Sequence, residues 1–229
     1  NQCVCNLTQN RILTGQVCIY LTCREKTKLL SHIQRRVNNP DSKLKDFIHH
    51  EKNVLPESLC DDIVNDIKEN DWTPHTWYRS IDSNSASEKT KELDVQDSTI
   101  EQTRIISPHL YKVFSNYSEK YKFNSSKTVN IAYQFSTIRF NRYRNGQIMR
   151  QHHDHIHSLF NGTQKGIPVL SVILNFNNDY KGGQLYFWHD YEIELGKGDI
   201  IMFPSLFMYP HGVKEPTEGE RFSGVCWAW

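Results

Sequence analysis

Residues 152–157 read His-His-Asp-His-Ile-His, four histidines and one carboxylate in six positions. Neutral imidazoles and carboxylates are the side chains that hold divalent transition metals. On an extended strand successive side chains alternate between faces. His152 and Asp154 then share one face, and His153, His155 and His157 share the other. With a distant histidine, the first face makes a two-histidine, one-carboxylate set of the kind that leaves positions open on Fe(II). The second face offers an all-histidine or cupin-like site for zinc, copper or iron. A cupin-like site would also need a glutamate a few residues on, and the next one is Glu192. A solvated polar strand end is the third reading of the hexapeptide.

The downstream residues shift that balance. His211 lies in Tyr209-Pro210-His211-Gly212-Val213, and Arg221 follows ten residues later. If a turn at Pro216–Gly219 joins two antiparallel strands, His211 and Arg221 fall opposite or diagonal on one face. A guanidinium pointing into a barrel beside a metal ligand is costly unless an anion pairs with it. A carboxylate makes that pair bidentately. An exposed arginine is the plainer alternative.

Tyr143-x-x-Gly146-x-x-Met149-x-x-His152-x-Asp154 resembles the core signature of Fe(II)- and 2-oxoglutarate-dependent dioxygenases of the prolyl 4-hydroxylase type. The later motifs keep the same order: Ile173-Leu174-Asn175, Gly182-Gly183-Gln184-Leu185-Tyr186-Phe187, Gly198-Asp199-Ile200-Ile201-Met202-Phe203-Pro204-Ser205, His211 with Val213, Gly219-Glu220-Arg221 and Trp227. The resemblance is strong over about 130–229 and is one of character only over 47–129.

The resemblance implies a mainly β fold with flanking helices, a double-stranded β-helix or jelly roll. It implies Fe(II) ligation by His152, Asp154 and His211. Arg221 would bind the distal carboxylate of 2-oxoglutarate, with Tyr143 approaching this co-substrate. Where many members have Tyr-Leu-Asn, this chain has Ile173-Leu174-Asn175, so Tyr133, Tyr143 or Ser223 would take over the missing tyrosine's part. The implied activity is hydroxylation of a prolyl residue in a protein or peptide, using O2 and 2-oxoglutarate, with ascorbate as an optional addition. Alternatives are hydroxylation of a free amino acid or another residue, and a non-catalytic jelly-roll binding module. A nucleic-acid demethylase is disfavoured by the balanced charge and by the lack of a second arginine near Arg221 on the last strand.

These residues need a scaffold. From residue 129 apolar side chains recur every second position, as in half-buried strands. Strands are predicted at Val129–Phe135, Val169–Phe176, Gln184–Trp188, Glu192–Leu195, Asp199–Phe203 and Phe222–Trp229. Short strands after helices argue for a jelly roll with helices packed outside. Leu59, Ile63 and Ile67 after Pro56 read as an amphipathic helix. Ser107-Pro108 reads as the start of a second helix, with Leu110, Val113, Phe114, Tyr117 and Tyr121 as its buried stripe. Residues 80–103, poor in large apolar side chains, read as a long polar loop, a lid over bound peptide. Trp72, Trp77 and Tyr78 just before it are candidates for gripping a peptide ring.

The domain reading is 1–45 as an N-terminal segment of unassigned role and 46–229 as the dioxygenase domain. Helix Glu25–Val37 belongs to the first part. Cys3, Cys5, Cys18 and Cys23 could form a zinc knuckle, but neither pair has the usual C-x2-C spacing, so free or paired structural thiols are favoured. The 229 residues are 38% hydrophobic and 23% charged, an ordinary globular mix that rules out a wholly disordered or coiled-coil chain. With 27 basic and 26 acidic residues the net charge is +1, which gives no sign of a nucleic-acid partner. No run approaches the ~18 apolar residues of a membrane span. Sequons occur at Asn6, Asn116, Asn124 and Asn161, as chance allows in such a composition. An Fe(II) site beside unpaired thiols favours the cytoplasm over a secretory compartment.

Overall fold

The computed structural model describes residues 42–75, 92–122, 132, 134–154 and 168–229. All fall in one compact unit, 39–229. After a helical turn at Ser42–Lys45 come strand β1 (His49–Glu51), helix α1 (Glu57–Lys68), β2 (Thr73–Pro74), β3 (Asp94–Asp97) and helix α2 (Ile100–Lys120). Strands then follow: β4 (Arg139–Tyr143), β5 (Met149–His152), β6 (Leu170–Asn175), β7 (Lys181–Gly182), β8 (Leu185–Phe187) and β9 (Tyr191–Ile193). The last are β10 (Ile200–Pro204), β11 (His211–Val213), β12 (Pro216–Glu218) and β13 (Arg221–Ala228).

A seven-stranded sheet runs β1-β10-β6-β13-β4-β3-β2, a four-stranded sheet runs β5-β11-β8-β9, and β12 pairs with β7. The pairs are antiparallel. The larger sheet has both faces covered. Val172 and Leu174 of β6, Ile200 and Met202 of β10, Phe140 of β4 and Cys226 of β13 join a core with the helices. Ile173, Ile201, Phe203, Tyr143 and Val225, on the alternate positions of the same strands, join the core between the sheets. This double burial explains the unbroken run Leu170–Asn175, all of it buried. It also sends the odd-numbered positions of β4 and β13 into the barrel.

Helix α1 forms where the period predicts, with Cys60, Ile63 and Ile67 buried. Helix α2 starts earlier than Ser107. Thr99 is its N-cap: its hydroxyl accepts from Gln102 N–H, and the Gln102 side chain accepts from Thr99 N–H. This reciprocal capping box satisfies two N-terminal donors and outcompetes the later Ser-Pro signal. The Ser107 hydroxyl instead donates back to the Thr103 carbonyl, and Pro108 lies inside the helix. Ile106, Leu110, Val113 and Tyr117 are buried, whereas Phe114 and Tyr121 are only partly covered.

The long-loop expectation is corrected over its second half. Residues 94–97 form β3 against β4, and Leu93 and Asp94 are buried. Asp94 is held there by Arg142 and Arg144. A deletion through this stretch would remove a strand of the main sheet. Trp72 is also no ring-gripping side chain: it donates to the Ile67 carbonyl and packs against Phe222. Residues 80–91, Trp77, Tyr78, the predicted helix at 25–37 and the four N-terminal cysteines lie outside the described residues. So does most of the predicted strand Val129–Phe135; Phe135 makes a single bridge with Ala228. No helix among the described residues is long and apolar enough to cross a membrane.

Candidate metal and co-substrate site

The turn Arg144–Gln147 reverses the chain from β4 into β5. Gln147 N–H donates to the Arg144 carbonyl at 2.8 Å, and Gly146 takes φ +79°. Strand β5 then pairs with β11 so that His152 stands directly opposite His211. Asp154 lies two residues beyond His152. The ligand atoms of His152, Asp154 and His211 all lie within 4.8 Å of one another. His152 Nε2 is 3.2 Å from Asp154 Oδ1, and His211 Nε2 is 3.6 Å from Asp154 Oδ2.

Each imidazole is oriented from behind. His152 Nδ1–H donates to the Arg150 carbonyl at 2.9 Å and His211 Nδ1–H to the Tyr209 carbonyl at 3.0 Å. Both Nε2 lone pairs are thereby turned towards the carboxylate, the arrangement that fixes a metal-binding tautomer. Burial pushes His211 down to about 4, so it stays neutral at physiological pH. Burial also acts to lower His152, but its hydrogen bond and charge contact with Asp154 leave it raised. Burial acts to raise Asp154, and the two imidazoles outweigh it and hold the carboxyl ionised. Asp154 Oδ2 is buried without a hydrogen-bond partner. A divalent cation between these groups would satisfy that oxygen, so the donor set fits a metal.

Arg221 does not pair with the His211 strand. Residues 216–218, read from the sequence as a turn, form β12, and the chain crosses between sheets there. β11 lies in the smaller sheet and β13 in the larger. Arg221 and His211 line one cavity, with Tyr143, Ser223, Asn141, Ile173, Asp154 and His152 among its walls. Arg221 is 1% exposed. Its Nε donates to Asn175 Oδ1 at 3.1 Å and its guanidinium lies over the Tyr143 ring, 5.3 Å from the centroid. Nη1 and Nη2 have no hydrogen-bond partner. A buried guanidinium with two bare nitrogens is an anion site in waiting, because an unpaired charge in low dielectric is costly.

The structure thus brings together His152, Asp154, His211, Arg221, Tyr143 and Ser223. Tyr133, His155 and His157 lie outside the described residues, and His153 is exposed. Sequence reasoning assigned no role to Asn175 and Tyr180. Asn175 Oδ1 accepts from both Arg221 Nε and the Tyr180 hydroxyl, at 3.1 and 3.3 Å. A buried asparagine inside an apolar strand was the available signal. Gly183, at φ +67°, sits close under Arg221: a Cβ there would lie 3.2 Å from Arg221 Cδ.

Residues 138–229 match the family model described as the 2OG-Fe(II) oxygenase superfamily. A PKHD-type hydroxylase of Idiomarina loihiensis is 32% identical over 97 residues, which cover 41% of this chain and 42% of that protein. The matched stretch thus spans less than half of that relative. Among solved structures, a prolyl hydroxylase from Trichoplax adhaerens, in complex with a hypoxia inducible factor peptide fragment, has TM-score 0.59 at 16% identity. That likeness covers 90% of this chain and 94% of the other. The viral collagen prolyl hydroxylase of Paramecium Bursaria Chlorella virus-1, as its 2OG complex, has TM-score 0.56 at 17% identity over 80% of this chain and 94% of the other. At such identities these likenesses establish the fold. The matched segment 138–229 contains His152, Asp154, His211, Arg221, Tyr143 and Ser223, and the fold around them is the jelly roll of those solved hydroxylases.

Proposed function

We propose that the chain is an Fe(II)- and 2-oxoglutarate-dependent hydroxylase acting on a prolyl residue of a protein or peptide. In this reading His152, Asp154 and His211 hold the iron, and Arg221 takes the distal carboxylate of 2-oxoglutarate. The observation that carries it is the shared cavity: a buried, metal-apt histidine-carboxylate cluster at one wall and a buried guanidinium with two unpaired nitrogens at another. A metal site alone would not require the guanidinium, and a structural arginine would have its nitrogens paired.

Bound Fe(II) and 2-oxoglutarate supply the oxidising chemistry, in which one oxygen atom of O2 enters a C–H bond and succinate and CO2 are released. The chain's own residues position and shield. The Arg150 and Tyr209 carbonyls hold the two Nε2 lone pairs on target. Asn175 holds Arg221 through Nε and leaves Nη1 and Nη2 without a protein partner beside the cavity. Ile173, Met149, Val213 and Val225 supply apolar wall between the polar groups, which lowers the local dielectric and strengthens the charge contacts. The prolyl substrate is supported by the motif order and by the prolyl hydroxylases among the fold neighbours.

The test is incubation with Fe(II), 2-oxoglutarate and a proline-containing peptide library under air, read by mass spectrometry. Gain of one oxygen on a prolyl residue, with matching succinate, is expected. Oxygen gained only on free amino acids or on other residues would refute the prolyl assignment and leave the oxygenase reading.

A further inference from the structure

We propose that Arg139 recognises a carboxylate on the primary substrate, close to the carbon that reacts. This rests on the hydroxylase reading above and narrows its substrate to a carboxylate-bearing molecule.

On β4, Arg139, Asn141 and Tyr143 alternate onto the barrel face and line the cavity that holds the metal-apt cluster and Arg221. Arg221 stands opposite Tyr143, and Arg139 lies four residues further along the same strand. At a rise of about 3.3 Å per residue the two backbone positions are roughly 13 Å apart. The cavity therefore has a cationic side chain towards each end. Once a small diacid is held at Arg221, the second cation is left for a different anion.

Arg139 is fixed in place without an ion-pair partner among the described residues. Its guanidinium lies over the Trp227 ring at 5.5 Å, and Nε donates to Asn141 Oδ1 at 3.3 Å. No carboxylate among the described residues forms an ion pair with it. Its neighbours contrast with this: Arg142 and Arg144 share Asp94, and Arg150 takes Glu92. The charged and titratable groups that act on it are Asp97 of the adjacent strand β3, Asp154 and Tyr143, while burial opposes its charge. Asp154 is already engaged by two imidazoles. A guanidinium stacked on an indole and tethered through Nε presents its remaining N–H edge as a planar fork, which fits a carboxylate bidentately.

The test is equilibrium binding, measured anaerobically on protein loaded with Fe(II) and 2-oxoglutarate so that no turnover occurs. Two matched pairs of probes separate the sources of the carboxylate. One pair is a capped Ala-Pro-Glu-Ala peptide and its Ala-Pro-Gln-Ala analogue; the other is free proline and prolinamide. One pair should show at least about tenfold tighter binding of its acid, the scale of a charge-assisted hydrogen-bonded pair. That pair identifies a side-chain or a main-chain carboxylate. Arg139→Gln should abolish the preference by weakening the acid alone, and Arg139→Lys, which keeps the charge, should restore part of it. Equal binding within both pairs, no binding of any probe, or a preference that survives in Arg139→Gln overturns the inference. Failure of the wild type to take up Fe(II) or 2-oxoglutarate overturns the hydroxylase reading beneath it.

Discussion

Replacing Arg221 with methionine should move two measurements in opposite directions. Arg221 is 1% exposed, and only its Nε has a hydrogen-bond partner. Methionine keeps most of the stem that packs near Gly183 and Tyr143 while removing a buried, half-satisfied charge. Even buried ion pairs can often be replaced by apolar side chains with a neutral or stabilising effect of about 1–4 kcal/mol, and an unpaired buried charge has less to lose. The loss of the bond to Asn175 is softened because the Tyr180 hydroxyl still donates to the same oxygen. Taking a net gain of about 1 kcal/mol, a domain of this size should melt about 2–4 °C higher than wild type. With 2-oxoglutarate the sign reverses. Truncating one partner of a buried, hydrogen-bonded charge pair costs about 2–5 kcal/mol, which is about 30- to 5000-fold in Kd. Anaerobic calorimetry of 2-oxoglutarate into the Fe(II)-loaded protein reads the second effect, and thermal melting of the ligand-free protein reads the first. A variant that melts several degrees lower and binds 2-oxoglutarate with unchanged affinity would show Arg221 to be a structural arginine.

Three further outcomes follow from the geometry. Gly183→Ala forces a side chain into φ +67° and against Arg221 Cδ, so it should cost about 1–3 kcal/mol and weaken 2-oxoglutarate binding; wild-type affinity and melting would contradict this. Burial raises the Cys60 thiol to about 11 and pushes Cys226 up further, so at pH 8 only about one Cys60 in a thousand is thiolate. Peptide mapping after iodoacetamide at pH 8 should find both unmodified in the native protein and modified in denaturant, with Cys60 reactivity rising as pH climbs towards 11. Thr99→Ala should destabilise by about 1 kcal/mol through loss of the capping box, and Ser107→Ala by clearly less; denaturant melts showing the reverse order would restore the later helix start.

What could be read from the sequence tracks the range of the interactions involved. His152 and Asp154 were legible because a two-residue spacing is a local relation, although the strand itself ends at His152 and Asp154 sits in the bend beyond it. The covered strands β6 and β10 were legible because burial on both faces leaves an apolar run. Helix α1 announced itself by period, whereas α2 was misplaced at its start because Ser107-Pro108 imitates a cap and the Thr99–Gln102 pair lies in polar sequence. Strand β3 was missed for a related reason. Asp94 looks like loop residue by type, yet Arg142 and Arg144 neutralise it in the fold. The meeting of His211 and Arg221 was anticipated through a hairpin that does not exist: they converge across two sheets, a relation that no local spacing encodes. Asn175 stood out only as a polar residue ending an apolar strand, and Arg139 carried no signal of its own, because its meaning depends on which partners surround its nitrogens.

The central claim is that His152, Asp154 and His211 form one iron site. It is tested most directly by metal analysis after anaerobic loading with Fe(II) and removal of excess metal, on wild type and Asp154→Ala side by side. The account predicts about one iron per wild-type chain, the open-site stoichiometry of a facial triad. It predicts almost none in Asp154→Ala, whose circular dichroism should remain that of the folded protein. Full iron occupancy in a folded Asp154→Ala protein, or a wild type that takes up no iron, would contradict it.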